Sequence, residues 1–408
     1  MQLNLFDKVS LTGYNSPLLN DLFHAYYYAR KNKRNTINQL KFEIEYEHNI
    51  FELYDEIFSQ LYHPKPSICF IVDKPVMREI FAADFSDRVV HHLIYNYIAP
   101  VFEKTFINDS YSCRKGKGTH YGIKRISRFI RSCSDNYTKD CYILKLDVKG
   151  YFMSMNKDIL YGKVKKELTK PGRNFNFDLP LVLSLIEKTI FNDPTINCII
   201  KGNKNDWNGL PKTKSLFHAS KNCGLPIGNL TSQLFGNVYM NSFDHWIRRE
   251  LGIKYYGRYV DDFVLIHQDK NILQSIIPRI AGYLDANLKL TLHPDKIYLQ
   301  HYSKGLKYLG TVIKPHRIYI ANRTKGNFYQ AIAKQNRLAP CNKPCKEKQT
   351  AFLSSMNSYL GILKHYKTHK LRKKMISNNL HPFWWNYFYL TVGIYKFVLK
   401  KRKCSVNC

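Results

Sequence analysis

The stretch GRYVDDFVLI, residues 257–266, contains two adjacent aspartates, a residue type that binds metal ions. Asp261 and Asp262 lie directly before the apolar run FVLI, and a third carboxylate, Asp147, lies near the end of the alternating run YILKLDV. Paired carboxylates repel each other and are costly to bury, so their position beside apolar runs suggests a neighbouring cation. If the three converge, they offer the hard oxygen ligands that suit Mg²⁺.

Three converging carboxylates would support phosphoryl transfer by two metal ions. Two ions about 4 Å apart can activate an attacking hydroxyl and stabilise the leaving oxygen of an in-line displacement. This chemistry depends on positioning and electrostatics, so it requires no nucleophilic Ser, Cys or His. We therefore interpret Asp147 and Asp261 as the primary ligands of two Mg²⁺ ions, with Asp262 as the third ligand and Mn²⁺ as a substitute metal. The alternative is an exposed acidic turn that caps a hairpin and binds nothing, which the flanking sequence disfavours.

The elements that would position these carboxylates are strands. In residues 142–148 the side chains of Tyr142, Leu144, Leu146 and Val148 share one face, while those of Lys145 and Asp147 point to the other face. The stretch GRYVDDFVLI predicts a tight hairpin whose turn presents Asp261 and Asp262 at one rim of a sheet. A neighbouring strand could bring Asp147 beside them.

Helical and strand patterns alternate along the rest of the chain. Apolar residues at helical spacing predict helices within residues 17–62, 85–97 and 271–284, and residues 67–72 are a strand candidate. Residues 306–313 and 317–320 predict a hairpin, and the chain after Gln330 is mainly helical and basic. This order predicts an α+β fold in which a sheet is backed by helices.

The charge balance of the chain predicts a polyanionic partner. Lys and Arg number 63 against 31 Asp and Glu, which gives a formal net charge of +32. Residues 310–408 contain 20 Lys and Arg but only one acid, Glu347, which favours nucleic acid over a membrane surface. The apolar segment 382–399 is short and is interrupted by Asn386 and Lys396. It therefore predicts a packed terminal element or a partner-docking surface rather than a membrane span.

The cysteines indicate a reducing compartment. Ten cysteines in 408 residues do not form a disulfide framework, and the start MQLNLFDKVS has no apolar signal core, so we expect a cytoplasmic protein. Two pairs with three intervening residues, Cys341 with Cys345 and Cys404 with Cys408, could suggest zinc. No matching Cys or His pair accompanies them, which favours free thiols.

Several ordered motifs resemble those of the reverse transcriptases. LKLDVKGYF resembles their motif A, GLPIGNLTSQLFGNVYMN motif B, YVDD the catalytic hairpin, LTLHPDKIYL motif D and LKYLGTVI motif E. Upstream, REIFAADFSDRVVHHLI and DSYSCRKGKGT resemble the fingers motifs of bacterial members. The resemblance runs from about residue 17 to about residue 375.

The resemblance implies a right-hand polymerase with fingers, a palm whose antiparallel sheet is backed by helices, and a helical thumb. On this basis residues 1–65 are an N-terminal helical extension and residues 66–141 the fingers. Residues 142–315 are the palm, with part of the fingers inserted at about 165–222. Residues 316–408 are a basic helical thumb and tail, which suits an A-form template–primer duplex.

Motif B distinguishes the branches of the family. Retroviral, retron and group II intron enzymes usually have Gln-Gly followed by Ser-Pro, whereas this chain has Ile227-Gly228 and then Ser232-Gln233. GLPIGNLTSQ resembles the reverse transcriptases of diversity-generating retroelements, as do FAADFSDRVVHH and SYLGILKHYKTHKLRKK. That branch copies a template-repeat RNA into cDNA with errors at template adenines, to diversify a target gene. It also implies a bacterial host cytoplasm and a small basic accessory protein that forms a helical-bundle oligomer.

The resemblance also implies roles around the metal site and the nucleotide. The Val148 carbonyl helps to hold metal, and Phe152 is the steric gate that excludes a 2′-hydroxyl and selects dNTPs, although it could be an ordinary core aromatic. Arg78 grips the incoming triphosphate in a motif where Val76 takes the usual lysine position, and Lys74 is a doubtful substitute. Lys296 is the acid that protonates departing pyrophosphate.

Motif B implies further contacts with the nucleotide and the template. Gly228 allows close backbone approach, while Ile227 replaces a glutamine and removes a hydrogen bond near the dNTP sugar. Ser232 and Gln233 support the template side, with helix capping as the alternative for Ser232.

Basic residues in two regions are candidate contacts with the nucleic-acid backbone. They are Lys115, Lys117, Lys370, Arg372, Lys373 and Lys374.

Two alternatives to the diversity-generating branch stay open. One is a defence-associated or group II intron-like reverse transcriptase, and the other is a non-catalytic RNA-binding protein. The three intact aspartates disfavour the second. The region after Gly310 has only one acid, Glu347, so it does not supply the clustered carboxylates of an RNase H centre.

Overall fold

The computed structural model describes residues 16–31, 36–73, 76–339 and 344–400. Within these ranges the chain forms two compact units. The first unit comprises the chain up to Gly118, Leu144–Leu265 and Asn271–Tyr298, and the second comprises Thr119–Ile143, Ile266–Lys270 and the chain from Leu299 onward. The predicted bounds of fingers, palm and thumb stay a prediction.

The helices follow the apolar periodicity of the sequence. In chain order they are α1 (Pro17–Arg30), α2 (Ile37–Ile44), α3 (Tyr46–Phe58), α4 (Phe85–Glu103), α5 (Thr119–Cys133), α6 (Lys157–Leu168), α7 (Leu179–Phe191), α8 (Leu230–Arg249), α9 (Lys270–Leu288), α10 (Asn322–Arg337), α11 (Lys346–Leu363) and α12 (His369–Ser377). The helices predicted within residues 17–62, 85–97 and 271–284 are confirmed as α1 to α3, α4 and α9.

The strands are shorter and more numerous than predicted. They are β1 (Ile68–Val72), β2 (Arg78–Ala82), β3 (Tyr142–Leu146), β4 (Ile199–Ile200), β5 (Tyr255–Tyr259), β6 (Asp262–His267), β7 (Tyr298–His301), β8 (Leu306–Tyr308), β9 (Thr311–Lys314), β10 (Arg317–Ile320), β11 (Phe388–Leu390) and β12 (Phe397–Leu399). The hairpin predicted over residues 306–320 is a three-stranded antiparallel sheet, because Leu309 and Gly310 have φ of 44° and 82° and form a turn. The predicted α+β class is confirmed.

Helix α4 forms much of the core of the first unit. Asp84 caps its N-terminus by accepting a hydrogen bond from the Ser86 N–H at 3.1 Å, which satisfies a donor that the helix leaves unpaired. Val90, Leu93 and Ile94 are fully buried where α1, α7 and α8 pack against α4.

A three-stranded sheet of order β2-β1-β4 lies in the same unit. Strands β1 and β2 are antiparallel, and the alternation of side chains along β2 leaves Arg78 exposed while Glu79 is fully buried. Glu79 accepts hydrogen bonds from Trp207 Nε1, Ser215 Oγ and the Leu216 N–H. These three bonds tie β2 to residues 207–216, which explains how a carboxylate can be buried here.

A second sheet has the order β5-β6-β3-β7. The strand predicted at residues 142–148 is confirmed as β3, which ends at Leu146. Ile143 and Leu144 lie on opposite faces of the strand and both are fully buried. Helix α8 packs near this sheet in the first unit, where the rings of Phe243 and Phe263 lie 5.2 Å apart at 73°. A strand covered on both faces reads as a nearly continuous apolar run.

The apolar segment 382–399 is a packed element of the second unit. It forms a 3₁₀ helix, Pro382–Asn386, and the hairpin of β11 and β12, where the prediction for the tail was mainly helix. The ring of Phe352 on α11 lies 4.3 Å from that of Trp384 and 4.6 Å from that of Phe388, so the segment supplies core contacts. No helix among the described residues is long and apolar enough to span a membrane.

The described cysteines are free thiols. They are Cys69, Cys113, Cys133, Cys141, Cys198, Cys223 and Cys345. Both pairs considered for zinc include residues outside the described ranges, namely Cys341, Cys404 and Cys408.

Asp87 in the first turn of α4 is a buried acid that we expect to make folding stability depend on pH. Tyr62 Oη and the Lys65 N–H donate to its carboxylate, each at 2.9 Å, and burial raises the pKa of Asp87 from 3.8 to about 7. The folded protein therefore binds this proton more tightly than the unfolded chain does, so Asp87 destabilises the fold increasingly as the pH rises from about 4 to about 7.

Replacing Asp87 by asparagine should remove this pH dependence. Relative to wild type, the free energy of unfolding of Asp87→Asn should rise by about 2 to 3 kcal/mol between about pH 5 and about pH 8. Denaturant titrations followed by circular dichroism measure this difference. Asp55→Asn on the exposed face of α3 is the matched control. Parallel pH profiles for Asp87→Asn and wild type would contradict the prediction.

Candidate active site

The Asp261-Asp262 pair lies at the tight connection between β5 and β6. Only Val260 and Asp261 separate the strands, which confirms the predicted hairpin. Val260 has φ +58°, the left-handed region that a β-branched residue rarely adopts. Such strain persists only where neighbours fix the backbone, and Arg258 Nη1 donates to the Val260 carbonyl at 2.9 Å. A side chain of β5 therefore holds the turn that carries the aspartates.

Arg258 is fixed in turn by a buried ion pair with Asp244 of α8. Both side chains are 0% exposed, and Arg258 Nε and Nη2 donate to the two oxygens of Asp244, each at 2.7 Å. Tyr256 Oη donates to Asp244 Oδ1 at 2.6 Å. Burial lowers the pKa of Arg258, but the Asp244 carboxylate more than offsets this effect and the net pKa is raised. Because bidentate pairing fixes direction as well as charge, α8 sets the orientation of the turn.

The segment DSYSC packs along the other edge of β5. The Arg258 N–H donates to the Asp109 carbonyl and the Tyr111 N–H donates to the Arg258 carbonyl, both at 2.9 Å. A Cβ at Gly257 would collide with the Tyr111 ring, so only glycine fits at this position. The approach of the two segments explains why a glycine precedes Arg258 in the motif.

Asp147 follows β3 directly, and its backbone is anchored to the motif D segment. The His293 N–H donates to the Asp147 carbonyl and the Lys149 N–H donates to the Thr291 carbonyl, both at 2.9 Å. These bonds form an antiparallel bridge around Val148, which is buried and whose own carbonyl takes part in neither bond. Asp147 is 6% exposed.

The three carboxylates share one electrostatic environment. Burial, followed by the charges of Asp147 and Asp262, raises the pKa of Asp261 to about 6. Burial also raises the pKa of Asp262, although Lys145 Nζ lies 3.0 Å from its Oδ1 and opposes the shift. Asp147 forms an ion pair with Lys296. Charges shift one another's pKa only over short distances, so Asp147 and Asp262 lie near Asp261.

The residues present fit a divalent cation. Among the described residues no three His, Cys, Asp or Glu side chains are grouped closely enough to hold a metal by themselves, and lysines neutralise Asp147 and Asp262 instead. Asp261 nevertheless carries the repulsion of two neighbouring carboxylates in a buried position. A hard cation would relieve that repulsion and would favour the ionised form of each carboxylate.

Three of the residues predicted for the nucleotide, Phe152, Ile227 and Gly228, lie near Phe81 in the first unit. Phe152 and Ile227 are partly buried against one apolar cluster built on Cys69, Phe81, Met153 and Leu216. The Phe81 N–H donates to the Ile227 carbonyl at 2.9 Å. Gly228 has φ +128°, and a Cβ there would lie 3.1 Å from the Phe81 carbonyl oxygen. Motif B therefore needs glycine at this position to pack against β2.

Other predicted nucleotide contacts differ in exposure. Arg78 and Gln233 are exposed, Ser232 is buried, and Lys296 is half exposed beside Asp147. The capping alternative for Ser232 is wrong, because the residue at the N-terminal boundary of α8 is Asn229. Lys74, the doubtful substitute near Arg78, lies outside the described residues.

The sequence of residues 64–313 matches the profile of the reverse transcriptase (RNA-dependent DNA polymerase) family. The chain belongs to the reverse transcriptase family. It is 24% identical over 292 residues to protein YkfC of Escherichia coli K12, a match that covers 63% of this chain and 69% of that protein. Members of the family use divalent metal ions, an RNA template and nucleotide substrates.

Two solved telomerase structures are also similar to this reverse transcriptase. Telomerase from Candida albicans, in complex with a fragment of telomeric RNA, is 12% identical with a TM-score of 0.46 over 83% of this chain. Apo telomerase from Candida tropicalis is 10% identical with a TM-score of 0.46 over 80% of this chain. The chain spans 59% and 63% of the lengths of those two proteins.

The basic residues predicted to contact nucleic acid fall into two groups in this reverse transcriptase. Lys115, Lys370, Lys373 and Lys374 are exposed, and Lys117 Nζ donates to Asn108 Oδ1 at 2.6 Å. Arg372 departs from the prediction. It is 3% exposed, its Nη1 donates to the Ile394 carbonyl, and its guanidinium lies 5.0 Å from the Tyr395 ring centre. Arg372 therefore fastens α12 to the terminal segment and does not offer its charge to a ligand.

Sequence reasoning missed three residues that shape the reverse transcriptase site. Arg258 and Asp244 orient the Asp261-Asp262 turn, and Lys145 pairs with Asp262. The signal for Arg258 was a lone basic residue directly before Tyr259 in an otherwise apolar strand. The signal for Asp244 was the one carboxylate in the sequence of α8.

Proposed function

We propose that this chain extends the 3′ end of a DNA strand on an RNA template by nucleotidyl transfer at Asp147, Asp261 and Asp262. The observation that supports this most strongly is the shared field of the three carboxylates in a chain that belongs to the reverse transcriptase family. The 3′-hydroxyl oxygen of the primer attacks the α-phosphorus of a dNTP. A phosphodiester bond forms, the bond to the bridging oxygen breaks, and pyrophosphate leaves with the electron pair.

The residues that would hold the metal are Asp147, Asp261, Asp262 and the Val148 carbonyl. Two Mg²⁺ ions, for which Mn²⁺ can substitute, would supply charge neutralisation for the attacking and leaving oxygens. Lys145 neutralises Asp262, and Lys296 neutralises Asp147. Both ion pairs would have to open before those carboxylates bind metal. Lys296 then has an ammonium group near the reacting phosphates, which suits a proton donor to pyrophosphate.

The nucleotide would be oriented by motif B and β2. Arg78 is exposed at the start of β2, two residues before Ile80, whose Cγ2 would lie 3.0 Å from a Cβ at Gly228. A guanidinium at this place can pair bidentately with a triphosphate. Ile227 packs against the apolar cluster where accurate polymerases often have glutamine, so one polar check on sugar geometry would be lost.

We further propose that the enzyme belongs to the diversity-generating branch. Ile227 in place of glutamine, and Ser232-Gln233 in place of Ser-Pro, support this reading. The proposed reaction copies a template-repeat RNA into cDNA with errors at template adenines. The proposed setting is a bacterial cytoplasm, with a small basic helical-bundle accessory protein as partner.

Sequencing of cDNA made by the purified protein from its native RNA and Mg²⁺ tests this proposal. Errors concentrated opposite adenine are expected. Errors spread evenly over the four bases would favour a defence-associated or group II intron-like enzyme. No dNTP incorporation under any primer condition would reject the polymerase and leave a non-catalytic RNA-binding protein.

Replacing Phe152 by alanine should relax sugar selection. The ring is partly buried against the same cluster as Ile227, where it would stand below the sugar of the incoming nucleotide. Without the ring, the ratio of kcat/KM for rNTPs to that for dNTPs should rise about tenfold to 10²-fold. Steady-state single-nucleotide insertion measures the ratio, and Phe217→Ala, an exposed ring that touches Phe81 of the same cluster, is the control. An unchanged ratio would show that Phe152 is an ordinary core aromatic.

A further inference from the structure

The second unit contains an open concavity that the proposed reaction does not use. Its volume is about 570 Å³. It is lined by α5, by the turn that follows α5, by the connection between β9 and β10 with the start of β10, and by the residues that follow α11. All of these segments belong to the second unit.

The lining of the concavity is strongly basic. Arg128, Arg131, Arg317 and Lys367 contribute four cations, and no described acidic side chain lines it. Arg128, Arg131, Arg317 and Lys367 are all exposed. Arg131 Nε donates to Asn136 Oδ1 at 2.7 Å, and this bond orients the guanidinium of Arg131. Four cations that line one concavity repel one another. An anionic ligand would reduce this repulsion, so the lining favours an anion.

Aromatic rings stand among these cations. Tyr137 and Tyr366 line the concavity, and the Tyr137 ring lies 4.6 Å from the ring of His316 at an angle of 63°. Tyr366 Oη lies 3.0 Å from His120 Nδ1, which fixes the ring. Burial raises the pKa of Tyr366 to about 12, so the phenol stays neutral and adds no negative charge. Rings interleaved with cations suit bases stacked beside phosphates.

The backbone that presents Tyr137 and His316 is strained. Asp135, Asn136 and Tyr137 are three consecutive non-glycine residues with positive φ, at 48°, 57° and 74°, and His316 has φ 60°. The Tyr137 N–H donates to Ser134 Oγ at 3.0 Å, and Tyr302 Oη donates to the Tyr137 carbonyl at 3.0 Å. A left-handed backbone conformation at a non-glycine residue is strained, and such strain clusters at ligand-binding sites. The strained residues here therefore support a binding role for the concavity.

We propose that this concavity binds single-stranded RNA, with phosphates on the four cations and a base against Tyr137 or Tyr366. Single-stranded RNA is favoured over duplex because a stacking ring can be reached only by an unpaired base. The site goes beyond the proposed reaction, since it requires neither the carboxylates nor a primer. It would hold a part of an RNA that is not being copied.

The test measures RNA binding with the polymerase cleft already occupied. Full-length protein is saturated with an unlabelled template–primer duplex, and a labelled single-stranded oligouridine is titrated by fluorescence anisotropy over a range of salt concentrations. The variant Arg128→Gln with Arg317→Gln should weaken binding about tenfold and reduce the slope of log K against log salt by about 1.4, which corresponds to two lost phosphate contacts. The control, Lys165→Gln with Lys166→Gln on the exposed face of α6, removes equal charge and should match wild type.

Ultraviolet cross-linking and competition identify the ligand and its position. Cross-links of the oligouridine should map by mass spectrometry to the peptides of Tyr137 or Tyr366 and should be lost in the double arginine variant. Affinity and salt slope equal to wild type in that variant, or cross-links only elsewhere, would overturn the proposal.

Displacement of the RNA by inorganic phosphate, by a dNTP or by polyglutamate at equal charge would also overturn it. Primer extension by the double variant should persist, so loss of this site is distinguishable from failure of the polymerase proposal.

Discussion

Asp261→Asn should lower the rate of nucleotide addition by at least about 10³-fold while the protein becomes more stable. Asparagine keeps the shape of the side chain but removes the charge that a divalent cation needs, and loss of several kcal/mol of transition-state stabilisation corresponds to this factor. The same change removes a charge that burial and then the two neighbouring carboxylates disfavour, and these causes raise the pKa of Asp261 to about 6. At neutral pH the ionised carboxyl is disfavoured in the metal-free fold, so the melting temperature of the metal-free variant should exceed that of wild type.

Single-turnover primer extension and thermal melting in the presence of chelator measure the two effects. Asp285→Asn, at an exposed position on α9 of the same unit, controls for the loss of one negative charge and should change neither quantity. Extension at a rate near that of wild type would remove Asp261 from the catalytic set. Loss of activity together with a lower melting temperature would indicate a structural role instead.

Arg258→Met should be the most destabilising single change at the site, and a second substitution should separate its two roles. The methionine leaves Asp244 buried without its partner, which typically destabilises a protein by about 3 to 5 kcal/mol. It also removes the donor to the carbonyl of Val260, whose φ is +58°. We therefore expect a lower melting temperature and extension reduced by about 10²-fold or more, since a displacement of about 1 Å can have an effect of this size.

The double variant Arg258→Met with Asp244→Asn removes both charges and keeps an acceptor for Tyr256 Oη. Its melting temperature should recover most of the loss, because a buried pair can be replaced by neutral groups at little net change. Its extension rate should stay low, because nothing restores the hydrogen bond to Val260. A recovered rate would show that Arg258 acts only on stability and does not position the catalytic turn.

The catalytic hairpin was predictable because its information is local. Adjacent aspartates between strand-forming runs specify the turn, and the second acidic strand follows from an alternating pattern that ends at Asp147. The α+β class followed in the same way from periodicity. The faces of β3 were not predictable, because burial of both Ile143 and Leu144 depends on elements distant in sequence.

The residues that were misread or missed share one property. Arg372 was assigned to nucleic acid because it lies in a basic run, yet its guanidinium is buried under Tyr395. Asp244 and Arg258 interrupt apolar patterns on a helix and on a strand, and only their meeting in three dimensions gives them a role. A buried ion pair between residues distant in sequence produces no periodic pattern. Such a pair can therefore be recognised only in the three-dimensional structure.

Helix α8 connects the proposed motif B contacts with the anchor of the Asp261-Asp262 turn. Its first turn carries Ser232 and Gln233, and Asp244 follows twelve residues later, about 18 Å along the axis. A poorly shaped base pair that pushes on one end would therefore move the anchor of Arg258 at the other. Under the proposed function, substitutions that bend this helix near Gly236 would therefore change copying accuracy and catalytic rate together.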